Sequence, residues 1–114
     1  MTSRTTLSSL MDHLYEGDVV DTGDLARVTG TSARSVARWR AGEATPHREA
    51  EERLLELRAV VDLARRVMRD DAARCWMRSP NPELGYEKPL DRIAAGQYQR
   101  VVGLLLALAE GLTA

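Results

Sequence analysis

The sequence predicts an all-α protein, on three observations. Apolar residues recur at helical spacing in three long segments, near the start, in the middle and at the end. Gly and Pro fall mostly in the short stretches between predicted helices, where they act as punctuation. The stretch from Glu49 to Arg69 contains neither, and is built mainly of good helix formers.

In chain order, Leu7, Leu10, Met11 and Leu14 form an i, i+3, i+4, i+7 stripe that predicts a first helix from about Ser3 to Glu16, stopped at Gly17. Asp21 or Thr22 caps a second helix through Val28; with Asp21 as the cap, Val20 and Leu25 have the spacing of a hydrophobic staple. Gly30 ends it. Ser32 is a good N-cap for a third helix, Ala33 to Ala41, bounded by Gly42. Two short helices joined by a tight Gly-containing turn make a helix-turn-helix. Its core positions are Leu25, Ala26, Val28, Val36 and Trp39.

Thr45-Pro46 opens the long helix, Pro being favoured at a first helical position. Its charges are sorted to suit the helix dipole, with Glu49, Glu51, Glu52 and Glu56 early and Arg65, Arg66 and Arg69 late. Glu49–Arg53 and Asp62–Arg66 are i,i+4 pairs in the favourable order. Leu54, Leu57, Val61, Ala64 and Met68 form one apolar seam, and Val60, Leu63 and Val67 a second. Two seams predict a spine that packs on its own chain on one side and on something further, most simply a second copy, on the other.

Past Arg69, Asp70-Asp71 either starts a short helix through Trp76 and Met77 or continues the spine with a kink. Pro80 and Pro82 stop helix formation, and a turn follows at Leu84-Gly85-Tyr86. Pro89 restarts a brief helix that closes at Gly96. Tyr98, Val101, Val102, Leu105, Leu108 and Ala109 form the apolar face of a last helix, ended by Gly111 with Leu112 folding back. Trp76, Leu84, Leu90, Ile93 and this helix are the expected C-terminal core.

The 114 residues suffice for one modest core or two very small modules sharing one. No apolar run is long enough to span a membrane, and the start leads into no signal-peptide hydrophobic region. With a single cysteine, Cys75, which is expected to be a buried small apolar group, this predicts a cytoplasmic protein. The net charge of −1 makes the molecule as a whole no attractor for nucleic acid. The segment 31–48 differs, with Arg34, Arg38, Arg40 and Arg48 against Glu43 alone. Any DNA contact therefore falls to Ser32, Arg34, Ser35, Arg38 and Arg40, where Arg reads guanine and the helix start holds a phosphate.

No residue set supports catalysis. His13 and His47 are the only histidines, both expected at the surface, and no Cys or carboxylate cluster has metal-ligand spacing. No Gly-rich phosphate loop is present, and no cofactor is implied. The pattern is that of a protein that binds.

Trp76 to Leu84 (WMRSPNPEL), then Lys88-Pro89-Leu90-Asp91, Gly96, the apolar last helix and Gly111 together resemble the toxin-binding domain of the MbcA/ParS/Xre family of antitoxins. Ser32 to Gly42 is similar to the Xre-type helix-turn-helix of the same proteins. The resemblance runs from about Leu7 to the end and implies three parts: an Xre-like helix-turn-helix over 1–48, a connecting and dimerisation helix over 49–70, and a toxin-binding domain over 71–114. It implies an antitoxin that blocks the active site of a RES-domain, NAD-consuming toxin, dimerises, and binds its own operator DNA. The candidate toxin contacts are Arg78, Asn81, Tyr86 and Lys88, with the C-terminal Gly111, Leu112, Thr113 and Ala114. One departure is that Tyr86-Glu87 stands where the family often has a second Gly. The competing readings are a stand-alone repressor with a C-terminal dimerisation module, and a ParS-like partition adaptor that binds protein only.

Overall fold

The computed structural model describes residues 4–113, with side chains from 6 to 111. Among them the helices are α1 (Arg4–Tyr15), α2 (Thr22–Thr29), α3 (Ala33–Arg40), α4 (Arg48–Val67), α5 (Asp70–Met77), α6 (Pro89–Ala94) and α7 (Tyr98–Thr113). Short 3₁₀ turns lie at Glu16–Asp18 and Pro82–Leu84, and the one β-type pairing described is the bridge between Asn81 and Glu87. The expected start of the first helix at Ser3 lies outside the described residues.

The local signals act largely as the sequence predicts. Gly17 turns the chain at φ +77°, where a Cβ would also crowd the Arg65–Asp70 ion pair. Asp21 caps α2 in a reciprocal box: its carboxylate accepts the Asp24 N–H at 2.9 Å, and the Asp24 carboxylate accepts the Asp21 N–H at 2.9 Å. Gly30 ends α2 in the left-handed region, and Ser32 caps α3 by accepting the Ser35 N–H at 3.1 Å.

Both ends of the long helix depart from expectation. α4 does not open on Pro46; His47 is its N-cap, with Nδ1 accepting the Ala50 N–H at 3.2 Å. It ends at Val67, because Met68 is extended (φ −146°, ψ 165°) and a separate α5 follows. Asp70 reaches back across this break to Arg65 at 2.9 Å, with the acidic Asp70-Asp71 at the positive end of α5. At the other terminus, Gly111 lies within α7 and does not end it. One Gly costs a helix only about 1 kcal/mol relative to Ala, too little to stop the run that precedes it. The side chains of Leu112 and Thr113, and all of Ala114, lie outside the described residues, as does the expected fold-back of Leu112.

One core of buried side chains runs from Leu7 to Leu105 through all three sequence segments. α1, α2 and α7 all pack on α4, and α2 also packs on α6. The long helix is therefore a shared centre and not a bare rod between separate modules. A chain this short has too little apolar surface to fill two cores. The seam Leu54–Leu57–Val61–Ala64 is fully buried, but so is Val60 of the second seam, and Leu63 and Val67 are half-buried. The molecule measures 45 × 25 × 24 Å. Cys75 is exposed, contrary to expectation. α5 turns Ala73 and Met77 inward, and Cys75 sits about 200° round the helix from either.

Ion pairs stitch the two ends of the chain together. Arg74 of α5 bonds Asp21 at 3.0 Å and the Asp18 carbonyl at 3.0 Å. Arg78, one turn on, pairs with Asp24 and also donates to the Arg74 carbonyl at 2.9 Å. Arg27 of α2 meets Asp91 of α6 at 2.8 Å. Two arginines at i,i+4 thus grip the two carboxylates of the α2 capping box. Burial, the largest influence, holds the Asp24 carboxyl above the usual carboxylate range, whereas the Asp24 N–H chiefly holds Asp21 below it. Removing Arg78 leaves Asp24 half-buried without its cation. Arg78→Ala is expected to lose about 1–3 kcal/mol of stability, read as a lower urea midpoint at unchanged slope; an unchanged midpoint refutes the clamp.

Candidate functional site

Two surfaces collect the residues singled out from sequence. The first is the outer face of α3. Arg34 and Arg38 are exposed and one turn apart, so they share a face. Ser32 and Ser35 lie at the helix start, joined by a 3.1 Å hydroxyl contact. Val36 and Trp39 are buried behind them, as predicted for a helix-turn-helix core, together with Leu25, Ala26 and Val28. Arg40 is not part of this face: its guanidinium lies 3.8 Å from the centre of the Tyr15 ring on α1. Its position about 240° from Arg34 explains the separation.

The second surface lies at the C-terminal end. Asn81 caps the 3₁₀ turn by accepting the Glu83 N–H at 2.9 Å, and its backbone pairs with Glu87. Tyr86 tops this turn with 72% of its surface exposed and φ +66°, directly after Gly85 at φ +63°. Lys88 is half-buried at the N-cap of α6. Arg78 faces inward to Asp24, so its charge serves the fold. Sequence reasoning missed Arg92, which holds the Tyr86 turn from beneath. Its guanidinium donates to the Leu84 carbonyl at 3.1 Å and to Gln97 Oε1 at 2.5 Å, and pairs with Glu87 at 3.0 Å. No sequence signal marks it, because its three partners are brought together only by folding.

The exposed side of α7 was also missed. Val101 and Leu105 are fully buried, and Tyr98, Val102 and Ala109 half-buried, as the periodicity predicts. Leu108, placed on the same face, is instead 43% exposed, and Leu106 is 49% exposed. Two apolar grooves flank this end of the helix. One, of about 380 Å³, is lined by Trp76, Asn81, Glu83, Leu104, Ala107 and Leu108. The other, of about 340 Å³, is lined by Val67, Met68, Ala107, Leu108 and Gly111. Trp76 is half-buried: one side packs against the core, as expected, and the other forms a wall of the first groove. The signal was present: residues 101–109 contain no polar side chain, so the helix is apolar beyond the stripe its own chain can cover.

Other candidate chemistry is absent from the described residues. No three His, Cys, Asp or Glu side chains lie close enough to hold a metal, and no helix is long and apolar enough to cross a membrane. His13 is half-buried, with Nε2 2.5 Å from Asp62 Oδ1, and joins α1 to α4.

Comparison with known proteins meets this geometry at the same end of the molecule. Residues 57–111 match the antitoxin Xre/MbcA/ParS C-terminal toxin-binding domain, a match that begins inside α4 and takes in both grooves. The chain is 43% identical over 112 residues to the mycobacterial cidal antitoxin MbcA of Mycobacterium tuberculosis (strain ATCC 25618 / H37Rv), covering 94% of this chain and 91% of that protein. The same figures hold for MbcA of Mycobacterium bovis. Its fold is similar to a chain in the crystal structure of the M. tuberculosis MbcT-MbcA toxin-antitoxin complex, with a TM-score of 0.78, 39% identity, and coverage of 95% of this chain and 94% of that one.

The left-handed backbone at Tyr86 is strained, since a Cβ there meets the following carbonyl at a cost of about 1 kcal/mol or more. Tyr86→Gly is expected to raise the thermal midpoint, by the few degrees that about 1 kcal/mol represents in a domain of this size. A lower midpoint contradicts the strain and means that the ring supports the turn.

Proposed function

Because the chain belongs to the Xre/MbcA/ParS antitoxin family, we propose that it neutralises a RES-domain toxin by laying the end of α7 and the Tyr86 turn over that enzyme's NAD-binding cleft. The observation that carries this reading is the coincidence of the matched toxin-binding domain with an apolar helix end that the chain does not cover itself. An antitoxin acts by binding and not by catalysis, and the mechanism is steric. Leu104, Leu106 and Leu108 supply apolar area that is removed from water in the complex. Asn81, Tyr86 and Lys88 supply polar and aromatic contacts at its rim. Gly111 and the residues after it, Leu112, Thr113 and Ala114, enter the cleft, so that substrate and antitoxin compete for one space.

The reading continues at the other end of the molecule. The helix-turn-helix binds operator DNA of its own promoter as a homodimer, with Arg34 and Arg38 of α3 in the major groove and Ser32 and Ser35 near the backbone. Support for this comes from the exposed Arg pair one turn apart on a capped recognition-type helix. Arg40, engaged with Tyr15, is assigned to holding α3 on α1 and not to a base.

Three measurements test these parts. Deletion of residues 111–114 is expected to abolish inhibition of NAD consumption by the cognate toxin while leaving the helical spectrum intact; undiminished inhibition removes the tail from the mechanism. Leu108→Asp places a charge on a side chain that the free protein leaves partly in water. It is expected to cost about 2 kcal/mol or more of toxin affinity, near 30-fold, with little change in folding. Arg34→Ala and Arg38→Ala are each expected to cost about 1–3 kcal/mol of operator binding, and parental affinity in both variants would exclude α3 from the groove.

A further inference from the structure

The two grooves beside the end of α7 are not chemically alike. The one lined by Val67, Met68, Ala107, Leu108 and Gly111 carries no polar side chain. The other, of about 380 Å³, combines the aliphatic Leu104, Ala107 and Leu108 with the Trp76 ring, Asn81 and Glu83. Glu83 is its one charged group. The residue is exposed, and its N–H is held by Asn81 Oδ1 at 2.9 Å, so the turn fixes its place on the groove. Its carboxylate has no cationic partner among the described residues. The other carboxylates of this half are matched: Asp70 with Arg65, Asp71 with Arg69, Glu87 with Arg92 and Asp91 with Arg27. The arginines of α5 and the residue after it are likewise committed, Arg74 to Asp21 and Arg78 to Asp24.

We infer that this groove receives one arginine side chain of the toxin, its guanidinium against Glu83 and Trp76 and its aliphatic stem along Leu104, Ala107 and Leu108. The lining selects that occupant by charge and shape. A carboxylate or phosphate is repelled by Glu83. A purely aliphatic side chain covers the leucines but strips water from a carboxylate that it cannot pair. Arginine meets both requirements: its stem lies on apolar surface while its head stays polar, the guanidinium stacks on an aromatic face, and it forks onto a carboxylate. Lysine has the stem and the charge, but its ammonium is more strongly hydrated and offers no planar fork. The toxin is the source because all six lining residues fall within 57–111, the segment matched to the toxin-binding domain.

The inference rests on the antitoxin reading above and adds a charge-specific anchor to it. Apolar area alone binds any apolar surface, whereas an acid that loses its water on docking rejects a partner without a cation in the right place.

The test measures affinity of the full chain for the cognate toxin by calorimetry, with inhibition of NAD consumption alongside. Glu83→Gln keeps the shape of the side chain and removes only its charge. It is expected to leave the thermal midpoint at the parental value and to weaken toxin binding about tenfold. Rising salt is expected to weaken the parent more than this variant. Glu83→Arg sets like charges against each other and is expected to cost about a hundredfold or more. Each surface arginine and lysine of the toxin is then changed in turn to Glu. One arginine variant is expected to bind the Glu83→Arg chain within about tenfold of the parental pair. Circular dichroism checks that each variant is folded. Parental affinity in Glu83→Gln, the result for a groove filled by an aliphatic side chain, overturns the inference. So does a Glu83→Arg chain that no toxin variant rescues, or that only a lysine reversal rescues. Failure of the antitoxin reading is a separate result, seen as a parental chain that leaves the toxin fully active.

Discussion

Burial of α4 is the constraint on which the rest of the structure depends. Leu54, Leu57, Val60, Val61 and Ala64 are all fully or almost fully buried, and they face more than one side of the helix. No single neighbour can cover them, so helices from both ends of the chain fold back onto α4: α1 and α2 from the N-terminal side, α7 from the C-terminal side. The N-terminal helices and the toxin-binding domain thus share one hydrophobic core, one of the two arrangements that the chain length allows. Cooperative stability in 114 residues leaves little alternative.

The polar contacts follow from that arrangement. Once α5 and α6 lie beside α2, Arg74, Arg78 and Asp91 stand opposite Asp21, Asp24 and Arg27, and each forms an ion pair. The best-placed of these is Arg78 with Asp24, because both side chains are largely withdrawn from water and Asp24 also bonds the Asp21 N–H. The capping box fixes where α2 begins, and the arginines fix how α2 sits against the C-terminal half. The orientation of α3, which packs on α1 and α2, is therefore set partly by residues far away in sequence.

The same packing decides what is left for partners. α7 offers only part of its circumference to α4 and α6, and its last turns carry Leu106 and Leu108 at the surface beside the Trp76 groove. Arg92 gathers Leu84, Glu87 and Gln97 and so holds Tyr86 outward on a rigid turn.

Much of this was legible in the sequence because the signals are local. Caps at Asp21 and Ser32, turns at Gly17, Gly30 and Gly85, and the stripe of α1 depend on residues within a turn or two of each other, where propensity and periodicity act. The family resemblance carried by Trp76 to Asp91 identified the type of molecule from order and spacing alone. Other features could only be decided by the tertiary structure. Asp62 does not serve Arg66 as expected because its carboxylate is shared between Arg58 and His13, the latter 49 residues away in sequence. Arg78 serves the fold because Asp24 is brought to it from 54 residues away. Cys75 and Leu108 are exposed because the surrounding helices stop short of covering them. Sequence alone determined where helices begin and which faces are apolar, since those depend on neighbours in the chain. Which apolar faces stay uncovered, and which charges stay unmatched, depends on neighbours in space, and only the packing of the other helices on α4 and on one another settles that.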